Sequence, residues 1–317
     1  MAEVGAYAAA AIAPATRQAY SAGEKRFINF CRTCRWEPFP ATDLRLSAFA
    51  AFLARSLKPG TIRAYICAVR NAHDEMGFED PTADAPLLKR VLKGIDRTKT
   101  AAATRPRLPV TMPVLRRLIE ALFRRHMNAL DRLMLNAALL TAFHGFLRCG
   151  EFTSRNRTAP FDPRKQLTRG DVVVQARSAK IRLKVSKTDP RGQGVTIHIG
   201  AASQPYCAVT ALRLYLTLTT GDKDSPLFTY QSGERLTREK FVDETRSLLV
   251  AAGIPNIDHY SGHSFRIGAA TTSAVAGAPE WLIRTMGRWR SDAVLRYIRT
   301  DVASMHGMAA TLVAVDN

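Results

Sequence analysis

The chain has 317 residues and a formal net charge of +19, with 46 Lys and Arg against 27 Asp and Glu. A surplus of that sign and size points to a polyanionic partner, and a hydrophobic fraction of 46% allows a substantial buried core. No apolar run reaches the ~18 residues of a membrane helix, and the Ala-rich stretch 8–13 lacks the basic cluster of a secretory signal. Five cysteines, an odd number, argue for a reducing compartment over a disulfide scaffold.

Residues 1–15 are expected to be frayed and disordered. Thr16 is a candidate cap for a first helix with Tyr20, Phe27, Ile28 and Phe30 at helical spacing. Cys31 and Cys34 have the spacing of half a zinc site. No matching pair follows, and Phe27, Phe30 and Trp36 around them favour structural cysteines. Asp43 opens a second helix through Leu46, Phe49, Ala50 and Leu53, which Pro59-Gly60 breaks. Thr61 opens a third with Ile62, Tyr65, Ile66, Val69 and His73, ending at Gly77, and residues 84–95 make a fourth. Residues 16–97 therefore read as a small all-helical domain. Lys99, Arg105, Pro106, Arg107 and Pro109 lie in a stretch without apolar period, which predicts an extended basic linker over 98–111.

The second domain, 112–317, is expected to open with a helix from Pro113 to about Phe143, with Leu130, Leu133, Ala137 and Leu140 on one stripe. Val172, Val173 and Val174 form a short strand. Ile181, Leu183 and Val185 then alternate with Arg182 and Lys184, and Val195, Ile197 and Ile199 alternate again across a hairpin turn at 186–194. Helices return at Cys207 and continue. Residues 302–315, with Met305, Met308, Leu312 and Val313, read as a short apolar tail helix. The predicted fold is mainly α with a small antiparallel β-sheet, in two domains.

Residue chemistry narrows the function. Tyr297 is flanked by Arg296 and Arg299, and positive charge favours a phenolate; an amphipathic-helix tyrosine beside Val294 and Ile298 fits the same local sequence. His263 and Arg266 are three apart, which on a helix places them on one face. There a guanidinium can grip two phosphate oxygens while an imidazole moves a proton near neutral pH. Arg148 ends an apolar run and precedes Glu151 by three residues, so it needs a partner: that carboxylate or a phosphate. Lys187 at the hairpin tip is either a solvated turn residue or an ammonium brought into a groove. Rate enhancements on hard substrates need roughly 8–23 kcal/mol, against about 3–4 kcal/mol from one preorganised donor. Cleavage of DNA therefore requires several such groups to converge.

In order, the chain offers Leu-Leu-Thr-Ala-Phe-His-Gly-Phe-Leu-Arg148-Cys-Gly-Glu151, the hairpin Lys187, His263-x-x-Arg266 and a late Arg-Tyr297-Ile-Arg-Thr. This combination resembles the tyrosine recombinase (phage integrase) family, the Cre branch and recombinases of eukaryotic mobile elements in particular. The resemblance implies a core-binding domain (16–97) and a catalytic domain (112–317) on one DNA duplex. It implies Tyr297 as nucleophile forming a 3′-phosphotyrosyl link, Arg148 and Arg266 on the non-bridging oxygens, His263 in proton movement and Lys187 as general acid. Glu151 would orient Arg148 or the neighbouring histidine. No metal, ATP or other cofactor is implied, since the tyrosyl ester conserves the bond energy.

Nine residues before Tyr297, where the family usually has His or Trp, stands Arg288, with Trp289 next to it. Either Trp289 packs on the site or Arg288 supplies the hydrogen bond. DNA contacts are expected from Arg63, Arg70, Lys89, Arg90, Lys93, Lys99, Arg105 and Arg107. About 6–10 phosphate contacts would weaken binding ~10³–10⁵-fold between about 50 and 200 mM salt. The family resemblance further implies double-stranded DNA as partner, a tetramer on synapsed duplexes with the tail helix on a neighbouring protomer, no membrane, and an intracellular location, nuclear in a eukaryote. The alternatives are a recombinase-derived DNA-binding protein with weakened catalysis and a monomeric relaxing topoisomerase.

Overall fold

The computed structural model describes residues 11–99, 106–185, 189, 192–290, 294 and 295, together with Glu3 and Tyr7. The chain divides into two compact units, Met1–Thr104 and Arg105–Asn317.

The first unit contains α1 (Pro14–Thr33), α2 (Asp43–Ala54), α3 (Pro59–Met76) and α4 (Pro86–Lys99). Phe27, Cys31, Leu46, Phe49, Leu53, Ile62, Val69 and Leu88 form its core, with the Phe27 and Phe49 rings edge-on at 5.1 Å. Cys31 is thus a packing residue. His73 is fully buried and fully used: one ring nitrogen accepts from the Ala41 amide at 2.8 Å and the other lies 2.8 Å from the Val69 carbonyl. Asp43 joins two helices. It sits in the first turn of α2, and its carboxylate accepts from the Leu87 and Leu88 amides at 2.9 and 2.8 Å, satisfying donors that the start of α4 leaves open.

Three of the expected helix starts are corrected, for one physical reason. Helix α1 begins at Pro14 after Ala13, not at Thr16, and α3 begins at Pro59, not at Thr61. Helix α4 begins at Pro86 and extends to Lys99. A proline in the first turn has no amide to leave unsatisfied and already holds a helical φ, so these prolines open helices and do not interrupt them. Lys99 consequently belongs to the last turn of a helix and not to a linker.

The second unit contains α5 (Met112–Arg124), α6 (Ala129–His144), α7 (Cys149–Phe152), β1 (Val172–Val174), β2 (Ser178–Leu183), β3 (Val195–Gly200), α8 (Ala208–Leu218), α9 (Arg238–Ala251), α10 (Ser264–Val275) and α11 (Glu280–Gly287). The strands make one antiparallel sheet in the order β1-β2-β3, with Ile181 opposite both Val172 and Ile197. Ala179, Ile181 and Leu183 point into the core while Lys180 and Arg182 face solvent, the period-2 pattern of a half-buried strand.

The single helix expected over 113–143 is two. Asn128 caps α6 by accepting from the Leu130 and Asp131 amides, and the chain turns between the helices. Helix α6 is not striped: every residue from Met134 to Phe143 is buried, so it runs through the middle of the unit. The end of the expected linker is also part of this unit. The Leu108 amide donates to the His259 carbonyl at 3.0 Å and the Val110 amide to the Ser264 carbonyl at 2.9 Å, and the Val110 side chain is fully buried. This extended segment lies along the approach to α10.

Candidate functional site

At the end of α6 the chain makes a tight turn through Gly145 and Phe146, the latter in the left-handed region (φ 50°). The turn delivers Arg148 to the position capping α7. Glu151, one turn on, accepts from the Arg148 amide at 2.8 Å and from its guanidinium at 2.8 Å. The pair is largely removed from solvent, with the two side chains 19% and 7% exposed.

The same carboxylate holds a second arginine. Arg288 ends α11 in the left-handed region (φ 56°) and donates to Glu151 at 2.9 Å. It also donates to the carbonyls of Gly145 at 3.1 Å and Phe146 at 3.2 Å. Burial, with Arg148 alongside, lowers its pKa from the usual arginine value, and Glu151 opposes that shift.

Arg266 is fully buried in the first turns of α10. Its guanidinium donates to the Phe146 carbonyl at 2.7 Å and to the Gly287 carbonyl, and lies 4.3 Å from the centroid of the Trp289 ring. Trp289 is itself wedged edge-on against Phe146, centroids 6.3 Å apart. Only a glycine at 287 permits this fold-back, because a Cβ there would come within 1.6 Å of the Trp289 ring. Trp289 thus packs against Arg266 and Phe146, while the hydrogen bonds of Arg288 go to Glu151 and to backbone carbonyls. Phe146 gives one carbonyl to two arginines, which fixes Arg266 and Arg288 relative to each other.

His263 is the capping residue of α10, its backbone already in the right-handed helical region (φ −94°, ψ −12°) and its carbonyl accepting from the Ile267 amide, so it stands three residues before Arg266 at the start of the same helix. Close packing of Gly262 brings it to α7: a Cβ on that glycine would lie 2.7 Å from the Cβ of Cys149. The His263 ring is half-buried, and its Nδ1 has no hydrogen-bond partner among the described residues. Burial first, then the positive charges of Arg107, Arg238, Arg266 and Arg148, push its pKa below the usual histidine value. The imidazole is accordingly neutral at pH 7. Four arginines around it, with Glu151 paired to one of them, make the surroundings strongly cationic.

The structure thus brings together Arg148, Glu151, His263, Arg266, Arg288 and Trp289. Lys187, Tyr297, Arg105 and the expected tail helix at 302–315 lie outside the described residues, as does most of 1–10. Arg107, at the end of the expected linker, stands among the charges around His263. Arg238 was missed. It is the first residue of α9, and its amide donates to the Ser154 carbonyl at 2.9 Å. The preceding Thr237 is a legible helix cap, but nothing in the local sequence points α9 at His263. In the first unit Arg63 pairs with Asp96, and Arg70 with Asp80 at 3.2 Å, so both are engaged within the fold. Lys89 donates to the Ala83 carbonyl at 3.3 Å, while Arg90 and Lys93 are exposed.

No protein-family model matches the sequence, and no curated protein matches it. Solved structures do match: the fold is that of the tyrosine recombinases. The XerH site-specific recombinase bound to a palindromic difH substrate, in a post-cleavage complex, matches at TM-score 0.63 and 17% identity, over 92% of this chain and 78% of that one. The Tn1549 transposon integrase in complex with a circular intermediate DNA matches at TM-score 0.63 and 14% identity, over 95% and 94%. A lambda integrase dimer bound to a core site matches at TM-score 0.55 and 14% identity, over 91% and 72%. At these identities the likeness is one of fold.

Proposed function

We propose that this chain cuts and rejoins double-stranded DNA as a site-specific recombinase or integrase of the tyrosine type. The observation that carries this reading is the convergence of Arg148, Arg266 and His263 in one cationic cluster, on the fold that DNA-bound recombinases and integrases share. In the proposed reaction the Tyr297 oxygen attacks a backbone phosphorus. A phosphorus–tyrosyl bond forms at the 3′ side, and the bond to the 5′ oxygen breaks. His263, lacking its second proton, accepts the one that leaves the phenol. Lys187 gives a proton to the departing 5′ oxygen. Arg148 and Arg266 neutralise the non-bridging oxygens; Arg266 is fully buried with its terminal nitrogens on the Phe146 and Gly287 carbonyls, so these contacts exchange for the phosphate when DNA is bound. Religation reverses each transfer and uses the energy kept in the ester, so no ATP enters.

In the same reading the first unit serves as the core-binding domain and the second as the catalytic domain. The active form is a tetramer on two duplexes, with residues 302–315 exchanged between protomers. A second reading, a binding protein with weakened catalysis, is motivated by Arg288, which stands where the family usually has His or Trp.

The test is a nicked suicide duplex built from the sequences that flank the coding region, resolved on a denaturing gel. Wild-type protein is expected to shift as a covalent adduct, and Tyr297→Phe is expected to give none. Specific binding of that duplex by the wild type without any adduct rules out cleavage and leaves the binding-only reading.

A further inference from the structure

We infer that the extended segment 107–111 is a positioning element of the proposed reaction. It straps down the turn that carries His263 and sets the Arg107 charge against the imidazole, so that His263 stays a proton acceptor when a phosphodiester arrives. The inference rests on the strand-cleavage reading above, in which His263 takes the proton of the phenol, and assigns what keeps that step open.

The strap is built from alternate amides. Those of Leu108 and Val110 donate to the His259 and Ser264 carbonyls at 3.0 and 2.9 Å, on either side of His263. The Met112 amide, next in the alternation, donates to the Thr272 hydroxyl at 3.1 Å. Pro109 falls between them, where an extended chain turns its amide away, and has none to leave unpaired. Ser264, Gly268 and Thr272 are four apart, so the strap follows one face of α10. Gly268 is its seat: a Cβ there would lie 1.7 Å from the Val110 carbonyl oxygen. Its backbone is ordinary right-handed helix, so the close crossing is what demands a glycine.

Arg107 precedes the first of these bonds, exposed and with no carboxylate partner among the described residues. Of the other arginines whose charge reaches His263, Arg148 is paired with Glu151, and Arg266 is buried against backbone carbonyls and Trp289. Arg238, exposed at the start of α9, is the second one left unpaired. The remaining titratable groups by this turn are Asp258, His259, Tyr260 and the Cys149 thiol, which burial pushes up to about 11. A bound phosphodiester is an anion, and an anion near an imidazole favours the protonated form. An imidazolium has no lone pair left to accept with, so the substrate works against the base it needs. A cation held beside the ring offsets that pull. Arg107 can supply it because the strap fixes the backbone that carries it.

The test compares full-length wild type with Arg107→Lys, Arg107→Ala and Arg107→Glu. In the free protein, imidazole titration is followed by NMR, with His263→Gln identifying the signal. Arg107→Lys is expected to keep the wild-type midpoint, Arg107→Ala to raise it and Arg107→Glu to raise it further, spanning at least about 0.5 pH. On a nicked duplex the acid limb of the cleavage rate should move up in the same order. Arg107→Glu should then cut at least about threefold more slowly on that limb, with the rates converging as pH rises. The Leu108 and Val110 amides should exchange slowly with solvent deuterium; exchange as fast as in an unfolded chain overturns the strap. Equal midpoints across the series overturn the role of Arg107. So does a loss of cleavage that is the same at every pH, which a plain DNA contact would give. A wild type that forms no adduct overturns the cleavage reading instead, and the titration series still decides whether Arg107 acts on His263.

Discussion

Arg90, Lys93 and Arg97 stand in solvent on α4 without a carboxylate partner, whereas Arg148, Arg266 and Arg288 are held by a carboxylate, backbone carbonyls and an indole. The two sets carry the same charge and do different work. An exposed cation contributes through counterion release, which depends little on where its tip sits. A held guanidinium contributes through placement, its position set by the fold before any phosphate arrives. The structural constraint thus falls on the arginines whose geometry decides the outcome, while Arg90, Lys93 and Arg97 stay in solvent.

Substitutions can break that distinction. Arg266→Ala should have the largest effect. It strips donors from the buried Phe146 and Gly287 carbonyls and empties the space above Trp289, costing about 3–5 kcal/mol of stability. Urea denaturation would measure this, and adduct formation should vanish even where the variant is folded; Arg266→Lys, lacking the planar fork, should not restore it. A drop below about 1 kcal/mol would show that Arg266 is not held as described.

Arg288→Ala should cost less, about 1–3 kcal/mol, because Glu151 keeps Arg148. Its mark should be a slower cleavage step on a bound nicked duplex with unchanged duplex affinity. Equal losses in both would place Arg288 among the DNA-contacting cations instead.

His263 supplies the smallest and most specific effect. Its folded pKa lies below its unfolded value, so between the two the unfolded chain binds more protons than the folded one. Stability from this group is present above about pH 6.5 and declines as pH falls below it. A pH series of denaturation curves should show the decline, and His263→Gln should flatten it within that window. A rise in stability on acidification through the same range would contradict the cationic surroundings of the ring.

Much of this was legible from residue pattern. Alternation at 181–199 marked the hairpin strands because one sheet face is buried, and the 3.6-residue spacing marked the helices of the first unit. Arg148 beside Glu151 was legible because an arginine ending an apolar run must find a partner. The prolines were not, since Pro14, Pro59 and Pro86 read equally as breakers or as first-turn residues until the preceding backbone is known. Val110 was illegible because a segment of a few extended residues has no period to detect, yet it is fully buried. Arg238 and Arg107 reach His263 through tertiary packing, and no spacing along the chain encodes that.

The Glu151 carboxylate, bridging Arg148 and Arg288, has a consequence for how such a chain can vary over generations. Losing the cation at 288 alone leaves Glu151 still paired with Arg148, whereas losing the carboxylate alone sets two guanidiniums against each other. The acid at 151 is therefore the constrained partner: position 288 is expected to vary among descendants, including to a ring, while the carboxylate stays wherever Arg148 does.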